Sequence, residues 1–301
     1  MKDEGVCASS VSAVLLDGKS LGLRIEGELA ERVTSLKSLG IEPHLAVVLA
    51  GNDPASHVYV RNKERACERT GIRSTLIDLP ENVSQEELMQ VVADLNADDT
   101  VHGILVQSPT PAGTNELEIT EAIDPTKDVD GFHPMNLGRL AMGQSDGLLP
   151  CTPAGVMAMI ADAKIDLIGA KAVVIGRSRI VGMPLALLLA QKGIDATVTI
   201  AHSRTQDAAK ICREADLIVA AIGRPATVMA DWIKPGATVI DVGINRVVDE
   251  SRDSGSRLAG DVDPAAAEIA GYITPVPGGV GPMTIAMLMS NTVRAAEMSL
   301  E

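Results

Sequence analysis

The stretch KAVVIGRSRIVGMPLALLLAQKG, residues 171–193, decides the fold. It begins with a short apolar run, passes through a turn at Gly176, and continues from Gly182 as an apolar, helix-like segment. A buried strand followed by a glycine turn and a helix is the repeating unit of parallel α/β domains. Backbone N–H groups at the start of such a helix can bind phosphate. The two glycines do not match Gly-x-Gly-x-x-Gly, so the motif alone does not establish a dinucleotide site.

Similar apolar runs alternate with helix-like segments on both sides of this stretch. The predicted strands are LAVVLA (45–50), STLIDL (74–79), GILVQ (103–107), KAVVIG (171–176), ATVTIA (196–201), DLIVAAIG (216–223) and ATVIDVG (237–243). Helices are predicted near residues 18–39, 55–70 and 84–96. We therefore predict an α/β protein of two domains, each with a mostly parallel sheet, the second of them Rossmann-like.

The predicted domain boundary follows a stretch that carries several glycines and prolines, residues 131–153. We predict a first domain over residues 1–149 and a second over 150–282, with a C-terminal helix over 283–301 that packs back onto the first. TPVPGGVGPMT, residues 274–284, is so rich in proline and glycine that we predict neither helix nor strand there. The polar DESRDSGSR, residues 249–257, is predicted to be a hairpin loop.

Composition and charge exclude several classes of partner. A net charge of −14, with no cluster of lysine and arginine, would repel nucleic acid and anionic membrane surfaces. The first twenty residues lack the features of a targeting segment, and no apolar run is long enough to span a bilayer. We expect a cytoplasmic protein with reduced thiols and no metal site, because the cysteines and histidines show no ligand spacing; they are Cys7, Cys67, Cys151, Cys212, His44, His57, His102, His133 and His202.

A chain with only four aromatic residues places Tyr59 four positions before Lys63. Asp53 can cap this segment, Pro54 fits a first helical turn and Gly71 can end the helix. On that helix the tyrosine and the lysine share one face. A solvated lysine beside a packed tyrosine is the ordinary interpretation, and a catalytic pair is the alternative.

The residues after the strand ATVTIA indicate which nucleotide would bind. An NAD site normally has an acidic residue there for the ribose hydroxyls, whereas this chain has Ser203 and Arg204. Together with Arg177 they could hold a 2′-phosphate, which favours NADP. Solvated loop residues remain the alternative.

Two other loops carry polar residues near predicted strand ends. Gln107 ends the strand GILVQ, at the edge where open α/β sheets bind ligands, or it simply caps loop backbone. Asp130 lies with Asp128 in DPTKDVDGFHP, where aspartate commonly forms turns. None of these residues alone decides the function.

Taken in order, the motifs resemble one family, the bifunctional methylenetetrahydrofolate dehydrogenase/cyclohydrolases. The matching stretches are ASHVYVRNKERACERTGI, GILVQSPTPAG, KDVDGFHPMNLGRL, PCTPAGV, GRSRIVGMP, AHSRT and TPVPGGVGPMT. The resemblance implies an NADP-dependent oxidoreductase and hydrolase of one-carbon metabolism and purine biosynthesis, with tetrahydrofolate derivatives as substrates. It also implies a homodimer joined through the nucleotide-binding domains.

The resemblance further implies roles for individual residues. By motif position, the catalytic residues would be Lys63, Tyr59 and Gln107. The substrate-binding residues would be Tyr59, Asp130, Pro277, Gly278 and Gly279. The cofactor-binding residues would be Gly176, Arg177, Ser178, Gly182, Ser203, Gly223 and Ile244. The chain departs from the family pattern at Ser108, Thr110 and Met135, so we expect an altered lining of the folate pocket.

Three alternatives stay open at this point. Short-chain dehydrogenases also carry Tyr-x-x-x-Lys, but in those enzymes the pair follows the nucleotide-binding turn. In this chain the pair lies more than a hundred residues before that turn. Shikimate- or amino-acid-dehydrogenase-like enzymes share the predicted domain order and would act on another substrate. A nucleotide-sensing protein without catalysis would keep NADP binding and turn over no folate.

Overall fold

The computed structural model describes residues 12–252 and 255–300 and contains two parallel sheets and one hairpin. The strands are β1 (Val14–Leu15), β2 (His44–Ala50), β3 (Arg73–Leu79), β4 (Gly103–Val106), β5 (Lys171–Ile175), β6 (Thr197–Ala201), β7 (Leu217–Ala220), β8 (Thr238–Asp241), β9 (Asn245–Val248), β10 (Ser256–Ala259) and β11 (Tyr272–Ile273). The helices are α1 (Gly18–Ser38), α2 (Pro54–Thr70), α3 (Gln85–Ala97), α4 (Glu116–Ala122), α5 (Pro134–Ala141), α6 (Cys151–Asp162), α7 (Gly182–Ala190), α8 (Ala208–Arg213) and α9 (Val280–Met298). The predicted two-sheet α/β class is confirmed.

The smaller sheet has the order β3-β2-β4, with both pairings parallel. Every residue of β2 is buried, as expected for a central strand that is covered on both faces. Helix α2 begins where the sequence predicted, because the Asp53 carboxylate accepts a hydrogen bond from the Ser56 N–H at 3.2 Å. It ends at Thr70, and Gly71 follows with φ +74°.

The larger sheet has the order β1-β11-β8-β7-β5-β6, and all its pairings are parallel. After β5 the chain passes first to β6 on one side and then to β7 on the other, so the order reverses between β5 and β7. Ligands of open α/β sheets bind at the carboxyl ends of strands at such a reversal. Strands β1 and β11 were not predicted from the sequence, because each is only two residues long.

The C-terminal helix α9 begins at Val280, so the prediction that residues 274–284 form no helix was wrong for the last five of them. Pro282 is the third residue of α9, where the N–H group has no intrahelical acceptor and its absence costs nothing. The first six residues, 274–279, form the expected irregular loop. The expected hairpin at 249–257 is present as β9 and β10, with Asp253 and Ser254 outside the described residues.

Helix α9 contributes to two hydrophobic clusters, one at each sheet. Its first turns place Val280 and Met283 in the core beneath the larger sheet. Its later turns place Met289 and Val293 in the core that contains Leu45 of β2. Among the described residues, no helix is both long and apolar enough to cross a bilayer.

Asn291 fastens α9 to the loops around Asp130. It is 8% exposed, and its Nδ2 donates to the carbonyl oxygens of Val129 and Leu149, both at 2.8 Å. We expect Asn291→Leu to lower the free energy of unfolding by about 2 kcal/mol, because the Leu149 carbonyl loses its side-chain donor and the Val129 carbonyl keeps only the weak Cys151 thiol. Urea unfolding measures this, with Ser290→Ala as the control on the same helix. Equal stability of the Asn291→Leu variant and the native chain would show that these bonds contribute nothing net.

Candidate active site

Lys63 and Gln107 are brought into contact by the smaller sheet. Lys63 lies on α2, one turn after Tyr59, and Gln107 directly follows β4 at the carboxyl edge of the sheet. The Lys63 Nζ donates to the Gln107 Oε1 at 2.9 Å. The Gln107 Nε2 donates to the Ser108 carbonyl at 2.6 Å, which fixes the amide so that its oxygen faces the amine.

Asp130 lies close enough to Lys63 for each to affect the other's pKa. Burial lowers the pKa of the Lys63 ammonium below its usual range, while the Asp130 carboxylate opposes that shift. Burial raises the pKa of Asp130 to about 6, with Lys63 acting in the opposite direction. The carboxylate of Asp130 accepts no hydrogen bond from any residue that the structure describes. The site therefore holds an amine whose pKa is lowered by burial beside a carboxylate whose pKa is raised by burial, a combination that is typical of functional sites.

The loop that carries Asp130 is fixed by its neighbours. Asp128, which is 1% exposed, accepts from the N–H of His133 at 2.8 Å and from the Nδ2 of Asn136 at 2.9 Å. Gly131 follows with φ +77°, and a Cβ there would overlap the backbone of Leu149. The turn-forming interpretation therefore holds for Asp128, whereas Asp130 keeps its carboxylate available.

A cleft of about 950 Å³ has Tyr59, one helical turn before Lys63, in its lining. Helices α1 and α2, the loop 274–279, the start of α9 and the hairpin of β9 and β10 surround it. Of the predicted site residues, its lining includes Tyr59, Ile244, Pro277, Gly278 and Gly279. Lys63, Gln107 and Asp130 are not part of that lining. Tyr59 is 42% exposed, lines the cleft and lies on the helix that carries Lys63.

The proline- and glycine-rich loop is held against α1. The Lys19 N–H donates to the Gly278 carbonyl at 2.9 Å. A Cβ on Gly279 would lie 2.6 Å from the Pro275 oxygen, and one on Gly18 would overlap Gly279 itself. This close backbone packing accounts for the glycine at position 279.

The positions at which this chain departs from the family pattern lie around the same edge of the smaller sheet. Ser108 follows Gln107 and is exposed. Thr110 is fixed by the Glu116 carboxylate, which accepts its N–H at 3.0 Å. Met135, in the first turn of α5, is 53% exposed.

A second group of predicted residues lies at the carboxyl edge of the larger sheet. Gly176 follows β5, and a Cβ there would overlap the Ala221 carbonyl; a Cβ on Gly182 would overlap Gly176. The Ser178 hydroxyl accepts from the N–H groups of Val181 at 3.2 Å and Gly182 at 3.4 Å, so it closes the turn before α7. Both glycines are therefore required by the tight turn, as in a phosphate-binding loop.

The end of β6 lies beside this turn, because Ile175 pairs with Ala201. Arg177, Ser203 and Arg204 are all exposed there, and no acidic residue follows β6 before Asp207. This edge therefore has the cationic and hydroxyl groups that suit a 2′-phosphate.

The loops after β7 and β8 hold Gly223 and Ile244. Gly223 has φ +73°, and its N–H donates to the Asp261 carboxylate at 2.8 Å. Ile244 is 44% exposed on the cleft. Sequence reasoning missed Asp261 and Asp241, both buried in this region; the Gly-Asp-Val-Asp run at 260–263 was the available signal.

No group of His, Cys, Asp and Glu side chains within residues 12–252 and 255–300 is arranged to hold a metal ion. Cys67, Cys151 and Cys212 are buried free thiols, and Cys7 lies outside the described residues.

Comparisons with known proteins match both halves of the chain to one family. The sequence model of the tetrahydrofolate dehydrogenase/cyclohydrolase catalytic domain matches residues 16–130, and that of the family's NAD(P)-binding domain matches residues 150–300. The chain is 56% identical to the bifunctional protein FolD of Aromatoleum aromaticum over 95% of this chain and 98% of the relative.

Solved structures agree. A bifunctional FolD methylenetetrahydrofolate dehydrogenase/cyclohydrolase from Campylobacter jejuni superposes with a TM-score of 0.91 at 49% identity, covering 95% of this chain and 99% of that one. A Trypanosoma brucei FolD complexed with NADP cofactor and inhibitor gives 0.91 at 40% identity, covering 96% and 99%. Motif order, fold and full-length identity agree, and the chain belongs to the tetrahydrofolate dehydrogenase/cyclohydrolase family.

Proposed function

We propose that the residues around Lys63 serve both activities of the family. The enzyme oxidises 5,10-methylenetetrahydrofolate to the 5,10-methenyl form with NADP and hydrolyses that product to 10-formyltetrahydrofolate. The assignment of these activities to this site rests on the hydrogen bond from Lys63 to Gln107, which lies beside the Asp130 carboxylate.

The oxidation needs positioning rather than a base. Bound NADP would supply the hydride acceptor, and loss of a hydride from the methylene carbon would leave the substrate as a cationic amidinium. No proton has to leave in this step, so the protein's task is to hold the folate at close range and in the right orientation. A neutral Lys63 would also avoid placing a second positive charge beside that cation.

The hydrolysis requires proton transfer. Water attacks the amidinium carbon and loses one proton to give a carbinolamine. One ring nitrogen is then protonated as its bond to that carbon breaks, and the remaining hydroxyl proton leaves to solvent as the formyl C=O forms. Lys63 can take the first proton because burial lowers the pKa of its ammonium, and it can return a proton to the departing nitrogen. Gln107 accepts a hydrogen bond from the amine in either protonation state and so keeps it in place.

The remaining residues bind the folate. We assign Asp130 to the amino-pyrimidine edge of the pterin, because a carboxylate can accept two parallel hydrogen bonds from that edge. Tyr59 offers its ring to the folate at the border of the cleft. Pro277, Gly278 and Gly279 form a wall of the cleft without bulky side chains, which suits close approach of a flat ligand.

The nucleotide would lie along the carboxyl edge of the larger sheet. Gly176, Arg177, Ser178 and Gly182 would receive the phosphates near the turn before α7, and Ser203 the 2′-phosphate. The fit rests on the glycine turn, where no Cβ can be accommodated, and on the absence of an acid directly after β6. Gly223 and Ile244 would lie near the other end of the nucleotide.

The assignment of Ser203 gives a direct prediction. We expect Ser203→Asp to raise the KM for NADP roughly tenfold or more, because a carboxylate would repel the 2′-phosphate, while the KM for NAD stays unchanged or falls. Initial rates with each nucleotide measure this. Ser203→Ala is the control, with a smaller loss for NADP and none for NAD. An unchanged KM for NADP in Ser203→Asp would remove Ser203 from the phosphate site.

The broader context follows from the family. We propose a folate-binding catalytic domain over residues 1–149, a nucleotide domain over 150–282, and α9 as the element that returns to the first domain. We also propose a cytoplasmic homodimer, joined through the nucleotide domains, that supplies one-carbon units for purine biosynthesis. Light scattering tests the dimer, and a monomer at working concentration would contradict it.

The cyclohydrolase assignment can be tested without nucleotide. Purified protein is mixed with 5,10-methenyltetrahydrofolate, and the loss of the methenyl absorbance is followed against the uncatalysed rate. We expect the methenyl absorbance to fall clearly faster than the uncatalysed rate when the enzyme is present at a concentration well below that of the substrate. A decay equal to the uncatalysed one would overturn the hydrolase half of the proposal.

A further inference from the structure

Asp261 is a fully buried carboxylate that the chemistry above does not use. It is 0% exposed and follows the hairpin of β9 and β10. Four donors converge on its two oxygens: the N–H groups of Ile222 at 2.6 Å, Gly223 at 2.8 Å and Arg224 at 2.9 Å, and the Asn245 Nδ2 at 2.8 Å. Hydrogen bonds of this kind to a charged acceptor are the strong ones.

These donors come from two different loops at the carboxyl edge of the larger sheet. Residues 222–224 follow β7, and Asn245 begins β9 just after the loop that follows β8. Three successive N–H groups that point at one anion form a nest, a feature that often binds phosphate. Here the protein's own carboxylate fills the nest, so hydrogen bonds within the protein hold this loop.

A second buried aspartate holds Asp261 itself. The Asp241 carboxylate, at the end of β8, accepts from the backbone N–H groups of Asp261 and Val262, both at 2.9 Å, and of Gly243 at 3.0 Å. Glycines make room for both carboxylates, because a Cβ on Gly243 would overlap Asp261 and a Cβ on Gly260 would overlap Asp241. The two loops and the hairpin are thus joined through two carboxylates.

The position of these loops assigns them to one end of the nucleotide. The strand order reverses between β5 and β7, and Ser203 lies on the β6 side of that point. If the 2′-phosphate lies on the β6 side, the nicotinamide must lie across the reversal, beside the loops after β7 and β8.

We propose that Asp261 is a positioning residue for NADP, fixing the two loops that flank the nicotinamide. This inference rests on the proposed function. The groups assigned to hydrolysis of the methenyl substrate lie at the smaller sheet, and none of the four residues that donate to the Asp261 carboxylate lines the cleft assigned to the folate. We therefore expect hydrolysis to depend on these contacts far less than NADP binding does. Removal of the Asp261 charge therefore separates the two activities.

The test is Asp261→Asn, which keeps the shape but replaces one acceptor oxygen by a donor. We expect KM for NADP to rise roughly tenfold or more, with the rate of methenyl hydrolysis within about twofold of native. Asp263→Asn is the matched control, because the Asp263 carboxylate accepts, among the described residues, only the Ala265 N–H at 3.0 Å, and asparagine caps equally well. An unchanged KM for NADP, or an equal loss of both activities, would overturn the proposal.

Two additions keep the test decisive. If Asp261→Asn does not fold, Asn245→Ala removes one donor and should raise KM for NADP about threefold; no change there would overturn the proposal. Nucleotide fluorescence measures NADPH binding in the absence of folate, and so tests directly whether the two loops still support nucleotide binding. A native protein that binds NADPH but turns over no folate would refute the proposed function. NADPH binding could still be compared between the native protein and Asp261→Asn, so the Asp261 proposal would still be tested.

Discussion

Lys63→Met is expected to lower the rate of methenyltetrahydrofolate hydrolysis by roughly 10²–10⁴-fold, the usual contribution of a general acid–base group. Methionine keeps the length of the side chain and removes the exchangeable proton. The dehydrogenase should lose far less, because hydride transfer requires no base. The two activities are measured separately. Hydrolysis is followed as loss of methenyl absorbance, and the dehydrogenase is followed as formation of NADPH, with the methenyl product quantified in the same reaction.

Arg61→Met is the matched control for this variant. Arg61 lies on α2 two residues before Lys63, is exposed, and does not line the cleft, so removal of its charge should change neither activity. If Lys63→Met hydrolysed the methenyl substrate at the native rate, another group would have to carry the proton. An equal loss of both activities would instead indicate that Lys63 only binds substrate.

Asp130→Asn has the second largest expected effect, a rise in KM for the folate of roughly 10²-fold. The amide can accept only one of the two hydrogen bonds from the pterin edge and presents a donor to the other, so a charged bidentate contact is lost. Initial-rate measurements over folate concentration give this KM. Asp146→Asn, at an exposed position, is the control.

The same variant should be more stable than the native chain at neutral pH. Burial raises the pKa of Asp130 from 3.8 to about 6, so the folded state binds more protons than the unfolded state between these values, and native stability falls as pH rises through this window. The asparagine variant has no ionisable carboxyl at this position, so it does not share that loss of stability. Its advantage in urea unfolding should be present at pH 7 and absent below the unfolded pKa of 3.8.

A variant that bound folate normally would remove Asp130 from the pterin site. A stability advantage that did not depend on pH would show that the carboxylate's charge is not the cause.

Local signals in the sequence were sufficient to predict the helix and strand around Lys63. The cap at Asp53 and the stop at Gly71 gave the bounds of α2, and the continuous apolar run of β2 identified a central strand. The fold class, the family and the NADP cofactor were also predicted and are confirmed. These predictions depended on motifs whose order spans the chain.

Where the sequence prediction failed, contacts between distant segments decide the structure. The dense glycine and proline of residues 274–284 concealed the start of α9, because a proline in the first turn costs no hydrogen bond. The role of Asp261 depends on N–H groups from residues 222–224, which sequence spacing does not reveal. The burial that shifts the pKa values of Lys63 and Asp130 likewise arises only when β4, α2 and the loop before α5 meet.

The most direct test of the account is one time course of purified protein with NADP and 5,10-methylenetetrahydrofolate, in which NADPH and the methenyl chromophore are followed separately. The native protein should form NADPH with little methenyl build-up, and Lys63→Met should form NADPH while methenyl accumulates. Native protein that formed no NADPH would contradict the folate assignment, and a Lys63→Met variant without methenyl accumulation would contradict the role of Lys63.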